Sequence, residues 1–376
     1  MKCLNNNSMK KLQLLFFICL GLIVSCNNQK GGNELRVACN LTMTGDFSIY
    51  GESVQKGLLM AADDLKDTET YKDVKVAFDF QDNMSDSKNA VTVYKRQEMK
   101  GYDVYVSGIT QQSAAIIPLQ QKTTNPHFIW AFAPVLFTQE DNLFRTWVDY
   151  PQEATCFVEY LKFHPEFKRI ACLYPNIESA QFLYNQLFIP NIPEDREVVI
   201  NEPFDVTMTN FKDVAVKLRR ANPDAIFING MDMHIPNIIK ELSVNGMNKN
   251  GNLVFTFDLM DAVPLTAPEL LDGLVANIPA SELEYSESRN EWNVRFNEKY
   301  GTKPNYTNAY AYDLGLILYE AARKCAINKE LTIKDALLAT DIPGLTGQLQ
   351  FSPEGLLKGK YITSMYKNGK FEPIGK

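Results

Sequence analysis

The amino-acid sequence predicts an α/β protein with two doubly wound lobes, each built on a parallel sheet. Short apolar runs rich in Val, Ile and Phe alternate with helical stretches along most of the 376 residues. Strands that are buried on both faces read as continuous apolar runs, and strands that alternate with helices form parallel sheets covered on both sides. Four strands alternate with helices, a linking segment follows, and four more strands alternate with helices. We therefore expect two such sheets.

Four strands and three helices make up the first series. The predicted strands are ELRVACNL (34–41), VKVAFDF (74–80), YDVYVSG (102–108) and HFIWAFA (127–133). The predicted helices between them cover about 51–66, 87–100 and 113–123. In the first helix the apolar residues share one face, as expected of a helix that packs on a sheet; they are Val54, Leu58, Ala61, Ala62 and Leu65.

The second series repeats this order after a linking segment, FRTWVDYPQEA (144–154). Its predicted strands are RIACLYP (169–175), REVVIN (196–201), DAIFING (224–230) and NLVFTFD (252–258). Its predicted helices cover 178–188, 209–221 and 233–245, and the last of them ends at Asn245-Gly246, as helices commonly do. The repeated order implies a second sheet of the same kind.

The pattern changes after the second series. A further strand, GLVANI (273–278), precedes helices at about 287–300, 306–326 and 332–339 and two β-like pieces at 347–352 and 360–371. The helix at 306–326 is apolar nearly all round for several turns. Such a helix is buried, and we expect it to pack against a sheet.

The first 33 residues are typical of an export signal followed by a tether. A basic start precedes an apolar run at 12–24, which is shorter than the ~20 residues that span a membrane. The run ends in the tetrapeptide IVSC (23–26), which resembles the lipobox of bacterial lipoproteins. That resemblance implies loss of residues 1–25, a lipid on Cys26 that holds the exported chain at a membrane, and a flexible tether at 26–33. The alternatives are an ordinary signal peptide with a chance cysteine, or an anchor helix.

The charge of the chain argues against nucleic acid as a partner. The formal net charge is −7, and loss of residues 1–25 removes three lysines and no acidic residue, which makes it −10. Nucleic-acid binding calls for basic patches, which an acidic chain does not favour. The remaining 351 residues are long enough for two domains.

Common catalytic patterns are missing. The three histidines, His127, His164 and His234, have no metal-ligand spacing, and neither a G-x-S-x-G motif nor a G-x-x-x-x-G-K-[ST] phosphate loop occurs. No C-x-x-C occurs, so we expect no metal, redox centre or other cofactor. We expect four unpaired, buried thiols after the signal, because cysteine in apolar runs acts as a small hydrophobe; they are Cys39, Cys156, Cys172 and Cys325.

Six blocks of the sequence resemble the type I periplasmic solute-binding proteins, the leucine/isoleucine/valine-binding family. Together they extend over roughly residues 34–370 in the family's order. The blocks are TMTGDFSIYGESVQKGLLMAADDL (42–65), FQDNMSDSKNAV (80–91), FRTWVDYPQEA (144–154), TNFKDVAVKLRRANPDAIFING (209–230), YAYDLGLILYEAAR (310–323) and LTGQLQFSPEG (345–355).

The resemblance implies two lobes that are joined by three crossover strands and close on a small solute like a clamshell. The crossings are expected near 145–151, 277–284 and 344–350. The first lobe then comprises 34–147 and 279–345, and the second comprises 150–276 and 350–376. The resemblance further implies a monomer that delivers its solute to an ABC permease in the membrane.

Ligand-binding residues are expected in loops at the carboxyl ends of strands, where open α/β sheets bind ligands. From the first lobe the resemblance implicates Tyr50, and also Thr110, Gln111 and Ser113 in the loop after the third strand. N–H groups at a helix start can bind a carboxylate there. The alternatives are that Tyr50 packs on its helix and that the hydroxyl groups only cap theirs.

The loop after the fourth strand departs from the family. It reads WAFAP (130–134) in place of a hydroxyl-containing string that binds the head of an amino acid, and Pro134 has no N–H to donate. We place Phe132 and Ala133 at the ligand. Trp130 and Phe132 favour a more apolar or aromatic solute, unless one of them belongs to the core, since strand residues alternate faces.

From the second lobe, Asp258 matches an acidic position that can pair with a ligand ammonium; its alternative role is a helix cap. Asp232 and His234 follow another strand and are further candidates at that strand end. Asp149 and Tyr150 lie on the first crossing, where we expect a hinge role.

Three functions remain open at this point. The first is a lipid-anchored solute-binding component of an ABC transporter for an amino-acid-like, amide, aromatic or apolar organic solute. The second is a sensory receptor of the same fold that signals to a membrane kinase. The third is an exported hydrolase with unrecognised catalytic residues, which the absence of catalytic patterns disfavours.

Overall fold

The computed structural model describes residues 33–45, 47–130, 141–147 and 150–374. Strands and helices alternate in the predicted order and form two main sheets, so the α/β class with two parallel-sheet lobes is confirmed. Cys26, the predicted signal and most of the tether lie outside the described residues, and so do Phe132 and Ala133. None of the described helices is both long and apolar enough to cross a membrane.

The first sheet consists of five parallel strands in the order β2-β1-β3-β4-β5. These strands are β1 (Glu34–Leu41), β2 (Lys75–Asp82), β3 (Val104–Gly108), β4 (His127–Trp130) and β5 (Leu143–Phe144). The helices between them are α1 (Ser48–Leu65), α2 (Ser87–Lys100) and α3 (Thr110–Gln120). Because α3 begins at Thr110, three residues earlier than predicted, the loop after β3 is short.

The second series begins with α4 (Tyr150–Phe163) and continues through five parallel strands. The strands are β6 (Arg169–Pro175), β7 (Glu197–Phe204), β8 (Ala225–Ile228), β9 (Leu253–Phe255) and β10 (Val275–Pro279). The helices are α5 (Glu178–Phe182), α6 (Lys212–Ala221), α7 (Ile235–Val244) and α8 (Leu259–Ala262). The helix predicted at 178–188 is α-helical only to Phe182 and continues as a π-helical segment, Leu183–Phe188.

The remaining elements return to the first lobe and then complete the second sheet. The helices are α9 (Ala280–Leu283), α10 (Glu287–Tyr300), α11 (Tyr306–Ile327) and α12 (Ile333–Leu338). A hairpin of β11 (Asp341–Gly344) and β12 (Gly347–Gln350) follows, and then β13 (Tyr361–Lys367) and β14 (Lys370–Pro373). The last two strands are antiparallel and extend the second sheet to the order β14-β13-β10-β9-β8-β6-β7.

Helix α11 is the centre of the first lobe. Its residues are buried on nearly every side, which confirms the prediction of a buried helix. It packs on α1 so closely that a Cβ atom added at Gly57 would lie 2.4 Å from the Asn308 carbonyl oxygen. A reciprocal capping box between Asn305 and Asn308 satisfies the N-terminal N–H groups of α11 inside this packed region.

The chain leaves the second sheet after β10 and returns to it at β13, which pairs with β10. After β10, Trp292 and Phe296 of α10 pack in the core of the first lobe, and Leu349 and Leu357 still belong to that core. The chain re-enters the second sheet only at β13. The division into lobes, with a third crossing expected near 344–350, remains a prediction.

The four cysteines in the described ranges are unpaired, as predicted. Cys39 and Cys172 are buried in the centres of β1 and β6. Cys156 and Cys325 are only half-buried, which corrects the expectation that all four are buried. Cys156 lies in the middle of α4, and Cys325 lies near the end of α11, beyond the last buried residue of that helix.

Candidate functional site

A cleft lies where the carboxyl ends of the two sheets face each other. Each sheet contains a point at which the chain order reverses, between β1 and β3 and between β6 and β8. Loops that leave a parallel sheet at such a point diverge and form a crevice. The cleft between the loops of both lobes holds about 800 Å³ of atom-free space, counting the part open to solvent.

The first lobe contributes a largely aromatic wall with one helix start. Tyr50 lies in the first turn of α1, and Thr110 and Gln111 are the first residues of α3; all three line the cleft, where the sequence analysis placed them. The N-cap of α3 is Ile109, whose side chain has no acceptor atom. The N–H groups of the first turn of α3 therefore border the cleft without the hydroxyl cap that the alternative interpretation assumed.

Ser113 does not line the cleft. Its hydroxyl lies 2.9 Å from the Ser107 hydroxyl, which is 2.8 Å from Nε2 of His127, and all three residues are buried between the sheet and α3. Burial lowers the pKa of His127 to about 3, so the imidazole is neutral. These residues stabilise the first lobe, and Ser113 is not a ligand candidate in this arrangement.

A cluster of aromatic rings forms the base of the cleft. The Trp147 ring lies 5.3 Å from Trp130, 4.8 Å from Tyr306 and 5.0 Å from Tyr310, measured between ring centroids. Phe257 of the second lobe lies 6.3 Å from the same ring. Trp130 and Trp147 both line the cleft. Sequence reasoning missed Trp147 as a site residue, although a tryptophan in the segment linking two series of strands was a usable signal.

The second lobe contributes the single charged residue among the described lining residues, Asp258. Its Oδ2 accepts hydrogen bonds from Asn229 Nδ2 at 3.0 Å and from Thr256 Oγ1 at 2.6 Å. Asp258 occupies the N-cap position of α8, but its side chain makes no capping bond to that helix. Burial raises the pKa of Asp258 to about 7. The hydrogen bond from Thr256 opposes this increase, and the charge of Asp261 adds to it.

Two more carboxylates lie near Asp258. Burial raises the pKa of Asp261 to about 7, with a further contribution from the charge of Asp232 and an opposing hydrogen bond from Tyr306. Asp232 itself is exposed and does not line the cleft, although its charge raises the pKa values of both other aspartates. This side of the cleft is therefore acidic.

His234 and Tyr150 have roles that differ from those expected. The His234 ring is buried; it accepts the Met231 N–H at Nδ1 and contacts the Val206 carbonyl oxygen through Nε2 at 2.8 Å, so it holds the loop after β8. Tyr150 begins α4 and is buried while lining the cleft. Its expected hinge role remains a prediction, and Asp149 lies outside the described residues.

The described lining of the cleft combines apolar residues with a few polar groups. The hydroxyl groups of Thr110 and Ser179 line the cleft, but the described lining contains no histidine, lysine or arginine to activate either of them. No group of three or more His, Cys, Asp or Glu that could hold a metal ion occurs in the described ranges. The combination of an apolar wall and a few convergent polar groups is typical of a small-molecule site.

Comparison with known proteins identifies molecules of the same architecture. A family model described as "Periplasmic binding protein" matches residues 34–366. The Leu/Ile/Val-binding protein homolog 1 of Brucella abortus (strain 2308) is 21% identical over 228 residues, which are 57% of this chain. The chain spans only 58% of the length of that curated relative.

Two solved structures share the fold over nearly their whole length. The branched-chain amino acid transporter substrate binding protein LivJ from Streptococcus pneumoniae, in complex with isoleucine, superposes with a TM-score of 0.74 at 21% identity, over 90% of this chain and 98% of that one. An ABC transporter solute binding protein from R. palustris, in complex with benzoate, gives a TM-score of 0.74 at 16% identity, over 91% and 96%. At these identities the superpositions show the common fold.

Proposed function

Because this chain belongs to the periplasmic binding protein family, we propose that it is the extracytoplasmic solute-binding component of an ABC transporter. The observation that supports the proposal is the cleft in which Tyr50, Thr110 and Gln111 of one lobe face Asp258 of the other. Residues from both lobes would touch one bound solute. The solute would therefore favour the closed arrangement of the lobes, since it gains contacts there that an open arrangement lacks.

The aromatic base suits this mechanism. Trp147 packs against Tyr306 of the first lobe and Phe257 of the second, so the two lobes already share apolar contacts below the cleft. Closure about the crossings would bury the solute above these rings, and the closed form would then be the one that docks on a permease. Binding without turnover is expected.

The export signal and the acyl anchor are part of the proposal. An acyl chain on Cys26 would hold the chain at the membrane that contains its permease, and each buried CH₂ adds ~0.8 kcal/mol of membrane affinity. A tether at 26–33 would leave the lobes free to open and close. The chain would act as a monomer.

The decisive experiment is to identify the solute. The protein is purified under native conditions from its host, denatured, and the released small molecules are analysed by mass spectrometry. Asp258→Asn, purified in the same way, should release much less solute, whereas Asp272→Asn, a change at an exposed turn, should release the wild-type amount. Absence of any solute, together with no thermal stabilisation by amino acids, amines, amides or aromatic acids, would contradict the proposal.

Uptake distinguishes transport from sensing. A receptor of the same fold would bind the solute equally well. Deletion of the gene should abolish uptake of the labelled solute by the host if the chain serves a permease, and unchanged uptake would favour the receptor.

A further inference from the structure

We infer that the protein has a second binding site, for a phosphate group, in a cavity between α11 and the segment 358–360. The ligand would be inorganic phosphate or a small phosphate monoester. The inference goes beyond the proposed function and does not depend on it. Three features of the cavity lead to it: the charges of its lining, two hydroxyl groups, and its position between parts of both lobes.

The cavity is separate from the solute cleft. It is bounded by the start of α9, helix α11, the turn between β11 and β12, and the segment that precedes β13. Among the described residues it shares no lining residue with the cleft. It holds about 610 Å³ of atom-free space, counting the part open to solvent, which is room enough for a small phosphate monoester.

The described lining of this cavity carries two positive charges and no negative one. Lys358 and Lys360 both line it. The Lys358 ammonium donates to the neutral amide oxygen of Gln350 at 3.3 Å, and neither lysine forms an ion pair in the described part of the chain. Two ammonium groups at one cavity repel each other, and a dianion between them would replace that repulsion by attraction. Lysine binds phosphate as a point charge, so the pair suits this ligand.

The acidic residues near the cavity have other partners or are exposed. Glu282 forms a buried ion pair with Arg289 at 3.3 Å. Asp313 accepts the backbone N–H and the hydroxyl group of Thr346, at 2.8 and 2.6 Å. Asp341 is exposed and forms no ion pair in the described ranges. These carboxylates therefore leave both lysines available to a ligand.

Two hydroxyl groups add a hydrogen-bond donor to the cavity. Ser281 Oγ and the Tyr310 hydroxyl both belong to lining residues and lie 3.3 Å apart, longer than the ~2.7–2.8 Å that is usual between hydroxyl groups. Each carries one proton, and at most one of the two protons can lie between them. Burial raises the pKa of Tyr310, so its hydroxyl stays protonated. At least one donor is therefore free for a phosphate oxygen.

The site would connect parts of both lobes. The Lys360 carbonyl oxygen accepts the Ala280 N–H at 3.0 Å, so the segment 358–360 is fixed beside the end of β10 before it continues into β13 of the second sheet. Tyr310 belongs to α11 of the first lobe, and its ring lies 5.0 Å from Trp147, which lines the solute cleft. A phosphate group held by Lys360 and Tyr310 would bridge these elements and stabilise their present arrangement.

The test titrates the full mature chain with two probes, inorganic phosphate and glycerol 3-phosphate, by calorimetry at pH 8. Both probes are dianions there, since the second pKa of a phosphate group is ~6. We expect saturable binding at one site, and Lys358→Gln combined with Lys360→Gln should weaken it at least tenfold. Lys212→Gln combined with Lys249→Gln removes the same charge from exposed positions of the second lobe and should keep the wild-type affinity.

The outcomes are distinct. Binding that is lost only with Lys358 and Lys360 supports the inference, and the tighter probe tells whether free phosphate or an ester is preferred. No saturable binding of either probe, wild-type binding by the Lys358/Lys360 variant, or equal weakening in the control pair would overturn it. Saturation is the criterion, because phosphate also stabilises proteins by exclusion from their surface.

A crystal soaked with arsenate gives a readout that needs no variant. Arsenate has the shape and charge of phosphate, and its arsenic atom can be located by anomalous scattering. The ion should lie between Lys358 and Lys360, and an ion found only elsewhere would overturn the inference. None of these measurements uses the transported solute, so their failure would leave the proposed function standing, and failure of the proposed function would leave this site.

Discussion

The Glu153 carboxylate accepts the backbone N–H of Phe257 across 2.9 Å, although 104 residues separate the two. Glu153 is fully buried in the first turn of α4, directly after the segment predicted to be the first crossing, and Phe257 immediately precedes Asp258. The Asn277 side chain, in β10, donates to the Glu153 carbonyl oxygen at 3.3 Å. The loop that carries Asp258 is thus hydrogen-bonded to α4, and α4 is hydrogen-bonded to β10.

Glu153→Ala should lower the stability of the protein and weaken solute binding. It removes the acceptor of the buried Phe257 N–H, which costs about 1–3 kcal/mol, and it frees the loop that carries Asp258. The thermal midpoint and the calorimetric affinity are the measurements. Glu153→Gln keeps an acceptor oxygen and should lose much less of both. Equal losses in the two variants would show that the carboxylate charge, and not this hydrogen bond, is what matters.

The contribution of Asp258 and Asp261 to the stability of the solute-free protein should fall as pH rises from about 4 to about 7. Burial raises the pKa of Asp258 and of Asp261 in the folded state to about 7, from ~3.9 in the unfolded chain. A group with a raised folded pKa favours folding at low pH and loses that contribution as pH rises through the folded value. Asp258→Asn should therefore raise the thermal midpoint at pH 8 more than at pH 4. An equal effect at both values would contradict the raised pKa.

Affinity for any solute whose ammonium group pairs with Asp258 should weaken below pH 7. A protonated Asp258 cannot pair with an ammonium, so the affinity should drop about tenfold per pH unit well below a pKa of about 7 and level off above it. Asp258 accepts hydrogen bonds from Asn229 and Thr256. It also interacts electrostatically with titratable groups, namely Asp232, Asp261, Tyr50, Tyr150, Tyr306 and Tyr361. Titrations between pH 5 and 9 test this, with Asp258→Asn expected to give a flatter profile.

Gly57→Ala should destabilise the first lobe. Alanine normally favours a helix over glycine by about 1 kcal/mol, so a loss of stability would have the opposite sign from helix propensity. The added Cβ would meet the Asn308 carbonyl oxygen at 2.4 Å and the Ala311 Cβ at 2.6 Å, and such overpacking typically costs about 1–3 kcal/mol. Thermal melts measure the change. Glu52→Ala, at an exposed position of the same helix, should leave the midpoint nearly unchanged.

Cys26→Ser should release the exported chain from the membrane fraction. The predicted lipid is attached through the cysteine thiol, and the serine hydroxyl is not expected to replace it. Cell fractionation followed by immunoblotting, with labelled palmitate as a second readout, checks the result. Retention of the variant at the membrane would instead support the anchor-helix alternative.

The order of elements could be predicted because it depends on local pattern, whereas several cleft residues were named from the family resemblance. Each strand is a continuous apolar run, so its end is visible. Tyr50, Thr110 and Gln111 lie in the first helical turn after such an end, and Asp258 lies in the loop after β9. The burial of α11 could also be predicted, because its sequence is apolar on nearly all sides. Boundaries were less accurate where the local geometry changes, as at the π-helical turn Leu183–Phe188.

The sequence by itself determined the α/β class, the two series of strands and the acidic carboxyl-end loops, since periodicity and turn residues act over a few positions. Only the tertiary structure decided that Ser113 points into the core, that Trp147 and Tyr150 line the cleft, and that the Trp130 indole lacks a partner. These properties arise from contacts between segments that are distant along the chain, as with Trp147 and Phe257. No local pattern encodes which side chain will meet which across the two lobes.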